Sequence, residues 1–121
     1  MYDKKVLHLL DKIIESVEVI LERTETVDSV NAFLDSSTGT LLLDGVCMKL
    51  IAVGESIKNL DKLTTGGLLV HYPQISWWEV MGMRDIIVHH YFEVDADVIF
   101  NTVKENIPVL LEILKQIRKE I

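Results

Sequence analysis

Apolar residues recur at three- and four-residue steps along almost the whole chain, the period of an amphipathic helix. Val6, Leu9, Leu10, Ile13, Val17, Ile20 and Leu21 form one stripe, separated by Lys5, Asp11, Lys12, Glu15, Glu18 and Glu22. Asp3 stands where an N-cap belongs. A short second helix is predicted from about Asp28 to Leu34, ending at Asp35-Ser36-Ser37-Thr38. From about Thr40 to Leu63 the pattern is apolar on more than one face: Leu41, Leu42, Leu43, Val46, Met48, Leu50, Ile51, Val53, Ile57 and Leu60 cannot all point one way. That is the pattern of a central or interface helix. Gly45 and Gly54 within it are expected to let neighbouring backbones approach.

Thr64-Thr65-Gly66-Gly67 ends this helix, and His71-Tyr72-Pro73-Gln74 reads as loop. Ser76 with Glu79 three residues on is a capping-box signature. The helix it opens carries Trp77, Trp78, Val80, Met81, Met83, Ile86, Ile87 and Val88 and is expected to reach at least Tyr91. Asp95 or Asp97 caps a last helix whose core face is Ile99, Val103, Ile107, Leu110, Leu111, Leu114 and Ile117, with Pro108 as an expected kink. The β-branched run Ile86-Ile87-Val88 is too short to argue for a strand. The fold class is all-α, an up-and-down bundle of four to five helices, with residues 1–121 as one domain.

Composition narrows the setting. At 121 residues the chain can bury a core. No run is long enough for a membrane span, and Met1-Tyr2-Asp3-Lys4-Lys5 opens a helix rather than a secretory signal. Lone Cys47, inside an apolar run, reads as a small buried hydrophobe in a reducing, cytoplasmic setting. The net charge of -7 lacks the basic footprint of a dedicated nucleic-acid binder, so any RNA contact is expected at one local cleft.

The candidate chemistry lies in Arg84-Asp85-Ile86-Ile87-Val88-His89-His90-Tyr91. Arginine clamps phosphate through a planar fork of donors, and histidine exchanges protons near neutrality. Adjacent His89 and His90 diverge and no helical His-x-x-x-His pair exists, so no metal site is expected, nor any cofactor. His8 and His71 read as incidental. Arg84 and Tyr91, seven apart, share a helix face, whereas His89 lies roughly 140° around from Arg84. Three ways of closing that gap stay open: a long reach by the arginine, a loosened helix near His89, or a cleft shared across a two-fold dimer. The plainer alternative is that Arg84 only pairs with Glu55 or Asp85, with His89 or His90 as a satisfied core histidine.

The stretch Trp77–Asp95 resembles the signature of the minimal HEPN-domain proteins of the HepT type: arginine, four residues, histidine, any residue, tyrosine. Arg84, His89 and Tyr91 fit all three positions. Val53-Gly54-Glu55-Ser56 is similar to the family's glycine-glutamate-small segment, and Val103–Pro108 to its final helix. The resemblance implies a HEPN-like, dimer-forming bundle acting as the toxin of a prokaryotic toxin–antitoxin pair: a metal-independent endoribonuclease whose two motifs line one cleft of a homodimer. Its partner would be a nucleotidyltransferase antitoxin that transfers AMP to the tyrosine. Arg84 and His89 would then be catalytic, Tyr91 the AMP acceptor, and Asp85, His90 and Glu55 supporting. The chain departs from the family in two places. Asp85 stands where asparagine or another polar residue is usual, and Trp78 where many relatives carry arginine. Both departures weaken phosphate binding and favour the alternative of a non-catalytic, nucleotide-binding or scaffold subunit beside a nucleotidyltransferase.

Overall fold

The computed structural model describes residues 2–89 and 95–121. Among them the regular elements are all helical: α1 (Lys4–Arg23), α2 (Asn31–Leu34), α3 (Ser37–Leu63), a 3₁₀ turn (Leu69–His71), α4 (Trp77–His89), α5 (Ala96–Asn101), a π turn (Thr102–Asn106) and α6 (Ile107–Glu120). Counting α5, the π turn and α6 as one last helix gives the expected bundle. None of these helices is long and apolar enough to cross a membrane.

Asp3 caps α1 as expected, its carboxylate accepting from the Lys5 and Val6 amides at 3.0 and 3.2 Å. The stripe predicted for α1 supplies Val6, Leu10, Ile13, Val17 and Ile20 to the core, while Leu9 and Leu21 are half-buried at its edge. The second helix is shorter than its pattern, running only Asn31–Leu34. The third starts earlier than expected. Ser36 is not loop but the N-cap, its hydroxyl accepting from the Gly39 amide at 2.9 Å, so α3 opens at Ser37. It packs on α1, α2 and α4, which is why its apolar residues point several ways. Its C-terminus closes through left-handed Thr65 and Gly66 (φ 51° and 73°), with the Gly66 amide donating to the Asp61 carbonyl.

The two glycines expected to admit a neighbouring backbone behave differently. At Gly54 an added Cβ would lie 2.8 Å from the Val80 carbonyl oxygen of α4, whereas at Gly45 it would meet nothing within 4 Å. Only Gly54 is therefore a crossing point. Gly45 instead faces a shallow apolar groove with Ile20, Leu41, Leu42 and Val46.

The last helix differs most from its pattern. Asp95 is the cap, accepting from the Asp97 and Val98 amides at 2.9 and 3.4 Å. Pro108 does not bend a continuous α-helix. It occupies the first turn of α6, directly after the π turn, where its missing N–H costs no α-helical bond. Buried Ile99, Val103 and Ile107 are four apart, a spacing that drifts by about 40° per step on an α-helix; the wider π turn absorbs the drift. Beyond it, Ile113 is buried and Leu111 only half-buried at the core's edge, the reverse of the expectation. Lys104 of the π turn donates to the Thr24 carbonyl at 2.9 Å, tying this segment to the end of α1. Ion pairs Arg118–Asp11 (2.7 Å) and Lys115–Glu18 (3.4 Å) join α6 to α1 along the surface.

Candidate active site

Helix α4 is held at both its start and its far half. Trp77 is buried and donates from its indole N–H to the Tyr72 carbonyl at 2.8 Å. Tyr72 in turn donates to the Glu120 carboxylate at 2.5 Å, so the start of α4 is pinned to the end of α6. That bond, then burial, pushes the Tyr72 phenol from 10.0 up to about 12. Ile87 anchors the far half of α4 in the core. Arg84, Asp85 and His89 are all exposed, and α4 stays α-helical through His89. The residues that follow His89, where a loosened helix was one of the open alternatives, lie outside the described ones. His90 and Tyr91 lie outside the described residues.

Arg84 is engaged from two sides. Its Nε lies 3.4 Å from Glu55 Oε1 on α3, and its Nη1 donates to Asp85 Oδ1 at 3.3 Å. Glu55 reaches it because the close crossing at Gly54 puts the next residue of α3 against α4. Both pairings named as the plain alternative therefore exist. Each lies at the surface, every partner at least 42% exposed, so each contributes no more than about 1 kcal/mol. They restrain the guanidinium without locking it away. Locally the sum is one positive and two negative charges, not a gathering of cations.

The pairing with Asp85 joins neighbours on different faces of α4. Adjacent helical residues lie about 100° apart and do not ordinarily face each other. Asp85 and His89 are four apart and share a face, roughly 40° from one another.

Comparison with known proteins gives the family. Residues 6–117 match the family described as ribonuclease HepT-like. The chain is 34% identical over 110 residues to a protein of Thermococcus cleftensis named "Probable ribonuclease HepT", covering 91% of this chain and 93% of that one. It is 35% identical over 118 residues to a Methanocaldococcus jannaschii protein named "Gamma-glutamylcyclotransferase and putative RNase", of which it spans only 50%. No solved structure gives a significant match. With an all-helical bundle among the described residues and a family match spanning nearly its full length, the chain belongs to the HepT-like ribonuclease family.

Proposed function

We propose that this chain cleaves RNA without a metal ion, as the toxin of a toxin–antitoxin pair. The observation that carries the reading is the exposure of both Arg84 and His89 on α4, with the arginine restrained but not buried. In the reaction the ribose 2′-hydroxyl attacks the adjacent phosphorus, the P–O2′ bond forms and the P–O5′ bond breaks. A histidine takes the 2′ proton and another protonates the departing 5′-oxygen. One His89 from each of two copies supplies both roles, which is the reason for a homodimer. Arg84 stabilises charge developing on the phosphorane oxygens, and the general acid–base contribution is on the order of 10²–10⁴ in rate. Exposed Leu41, Met48, Trp78 and Ile86 on α3 and α4 offer apolar surface for the pairing of copies.

Tyr91 is the site of silencing in this reading: AMP transferred to it by a nucleotidyltransferase antitoxin adds a bulky anion beside Arg84. Intact-mass analysis after co-expression with such an enzyme is expected to show the adenylated protein.

The purified protein is expected to cut single-stranded RNA in the presence of EDTA and to leave DNA intact. His89→Ala should lower the rate at least a hundredfold at unchanged fold. RNA cleavage that survives His89→Ala would refute the mechanism. One observation favours a second reading, a non-catalytic subunit that binds nucleotide: Glu55 and Asp85 both occupy Arg84. It predicts no cleavage and no growth arrest on expression, whereas the nuclease predicts arrest relieved by Arg84→Ala.

A further inference from the structure

Trp78 is 83% exposed, the most open of the large hydrophobic side chains among the described residues, although tryptophan is on average a well-buried residue type. Its neighbour Trp77 is buried and donates from its indole to the Tyr72 carbonyl at 2.8 Å. The backbone beneath Trp78 is therefore fixed while its own ring stands in solvent. Helical phase relates that ring to the site. His89 follows Trp78 by eleven residues, which brings it to within about 20° of the same face and about 16 Å further along the axis. Ile86 and Val88, the other exposed apolar residues of this half of α4, lie about 60° and 100° from His89. Gly82 lies on the strip between Trp78 and His89, and a Cβ added there would meet nothing within 4 Å. The middle of the strip is open.

Charge decides what such a strip can hold. The chain has a net charge of -7, and the groups about Arg84 sum to one positive and two negative charges. A polyanionic strand thus gains little here from the phosphate attraction that dominates most nucleic-acid affinity. Base faces are different: every base has a π face, and stacking on an exposed aromatic ring grips a single strand whatever its sequence. Asp85 shares the strip, but its carboxylate accepts from Arg84 Nη1 at 3.3 Å, which offsets its charge. We propose that Trp78 is a base-stacking platform for single-stranded RNA. An unpaired base a few nucleotides from the scissile phosphate stacks on its indole while that phosphate lies at His89. The inference rests on the ribonuclease reading above and supplies its grip on substrate. With about 16 Å of helix between them, the indole does not touch the phosphorus under attack at His89, so its loss is felt in KM rather than kcat.

The binding probe is a labelled single-stranded oligodeoxynucleotide of about ten bases, which has no 2′-hydroxyl to attack with. Its addition should quench the emission of exposed Trp78 and leave that of buried Trp77. By anisotropy, Trp78→Ala is expected to weaken Kd for this strand about 5- to 150-fold, the loss of one stacked base, and Trp78→Phe to keep most of the affinity. With RNA of the same length, Trp78→Ala should raise KM by a like factor with kcat within about threefold. A dinucleotide, too short to reach Trp78, should be cut equally by wild type and variant. Circular dichroism and melting of both variants serve as controls, since Trp77 and not Trp78 carries the packing. Wild-type Kd and KM in Trp78→Ala overturn the proposal, and so does an equal loss on the dinucleotide. A variant that falls from dimer to monomer in sedimentation assigns Trp78 to the pairing of copies and overturns it too. Cleavage of RNA unaffected by Trp78→Ala removes this inference alone. A wild type that grips the deoxy strand through Trp78 but cuts no RNA removes the ribonuclease reading and leaves the platform standing.

Discussion

Gly54→Ala isolates the contact that sets the site's geometry. Alanine in a helix interior is favoured over glycine by about 1 kcal/mol. Its Cβ would lie 2.8 Å from the Val80 carbonyl oxygen, whereas a tolerated carbon–oxygen approach is about 3.3 Å or more. The oxygen belongs to the backbone of α4 and cannot rotate aside, so α3 and α4 must part by about 0.5 Å. Overpacking of this kind costs about 1–3 kcal/mol, which leaves a net loss of about 0–2 kcal/mol. Gly45→Ala on the same helix carries the same propensity gain with nothing within 4 Å of the new atom. It should stabilise by about 1 kcal/mol. The difference between the two variants cancels propensity and reads the contact alone, about 1–3 kcal/mol. At a urea slope of about 1–3 kcal/mol per molar, 2 kcal/mol separates the two midpoints by about 1 M. The same parting lengthens the 3.4 Å pair of Arg84 with Glu55, so RNA cleavage should fall in Gly54→Ala and not in Gly45→Ala. Two variants stabilised equally would refute the close crossing of α3 and α4.

Three further outcomes follow from local chemistry. Ser36→Ala removes the cap of α3 and should cost about 0.5–2 kcal/mol, read from thermal or urea unfolding. Tyr72 titrates near 10.0 when free and near 12 in the fold; its neutral form is the one the fold favours, so its contribution is complete below pH 10 and is lost as pH rises through 12. Wild type should therefore lose stability across that window in alkaline urea titrations, and Tyr72→Phe should start lower and change less. Burial, helped by Asp44, pushes the Cys47 thiol from 9.0 up to about 11; alkylation by iodoacetamide at pH 8 should be slow in the folded protein and fast after unfolding, in line with thiolate control of reactivity.

What the sequence disclosed about the fold is what short-range chemistry decides. The stripe of α1, the caps at Asp3 and Asp95 and the glycine-assisted end of α3 each depend on residues within one turn. Ser36 was missed because it lies in a run of polar residues that reads equally well as loop, and because Gly39, not an acid, stands three residues on. Ile113 and Leu111 exchanged places because they flank the stripe of Ile107, Leu110, Leu114 and Ile117 on opposite sides, each about 80° from its centre, so the period alone does not choose between them. The π turn before Pro108 changes the phase, and the residues that could announce it, successive apolar positions four apart, also fit an ordinary helix.

The site divides along the same line. Asp85 is one residue from Arg84 and four from His89, so both of its relations are local and were present in the spacing. The pairing of Arg84 with Asp85 was among the expected contacts, although helical neighbours do not ordinarily meet, and the long arginine side chain makes it. Glu55 is 29 positions distant and no spacing rule reaches it. Its signal was the glycine before it: a residue without a side chain where α3 meets α4 lets the helices close, and the next residue is then carried to the partner's surface. A glycine followed by an acid on one helix, and an arginine followed by an acid on another, thus specify an arginine held from two sides. Gly54 brings the first acid near; the second is near by its place in the chain.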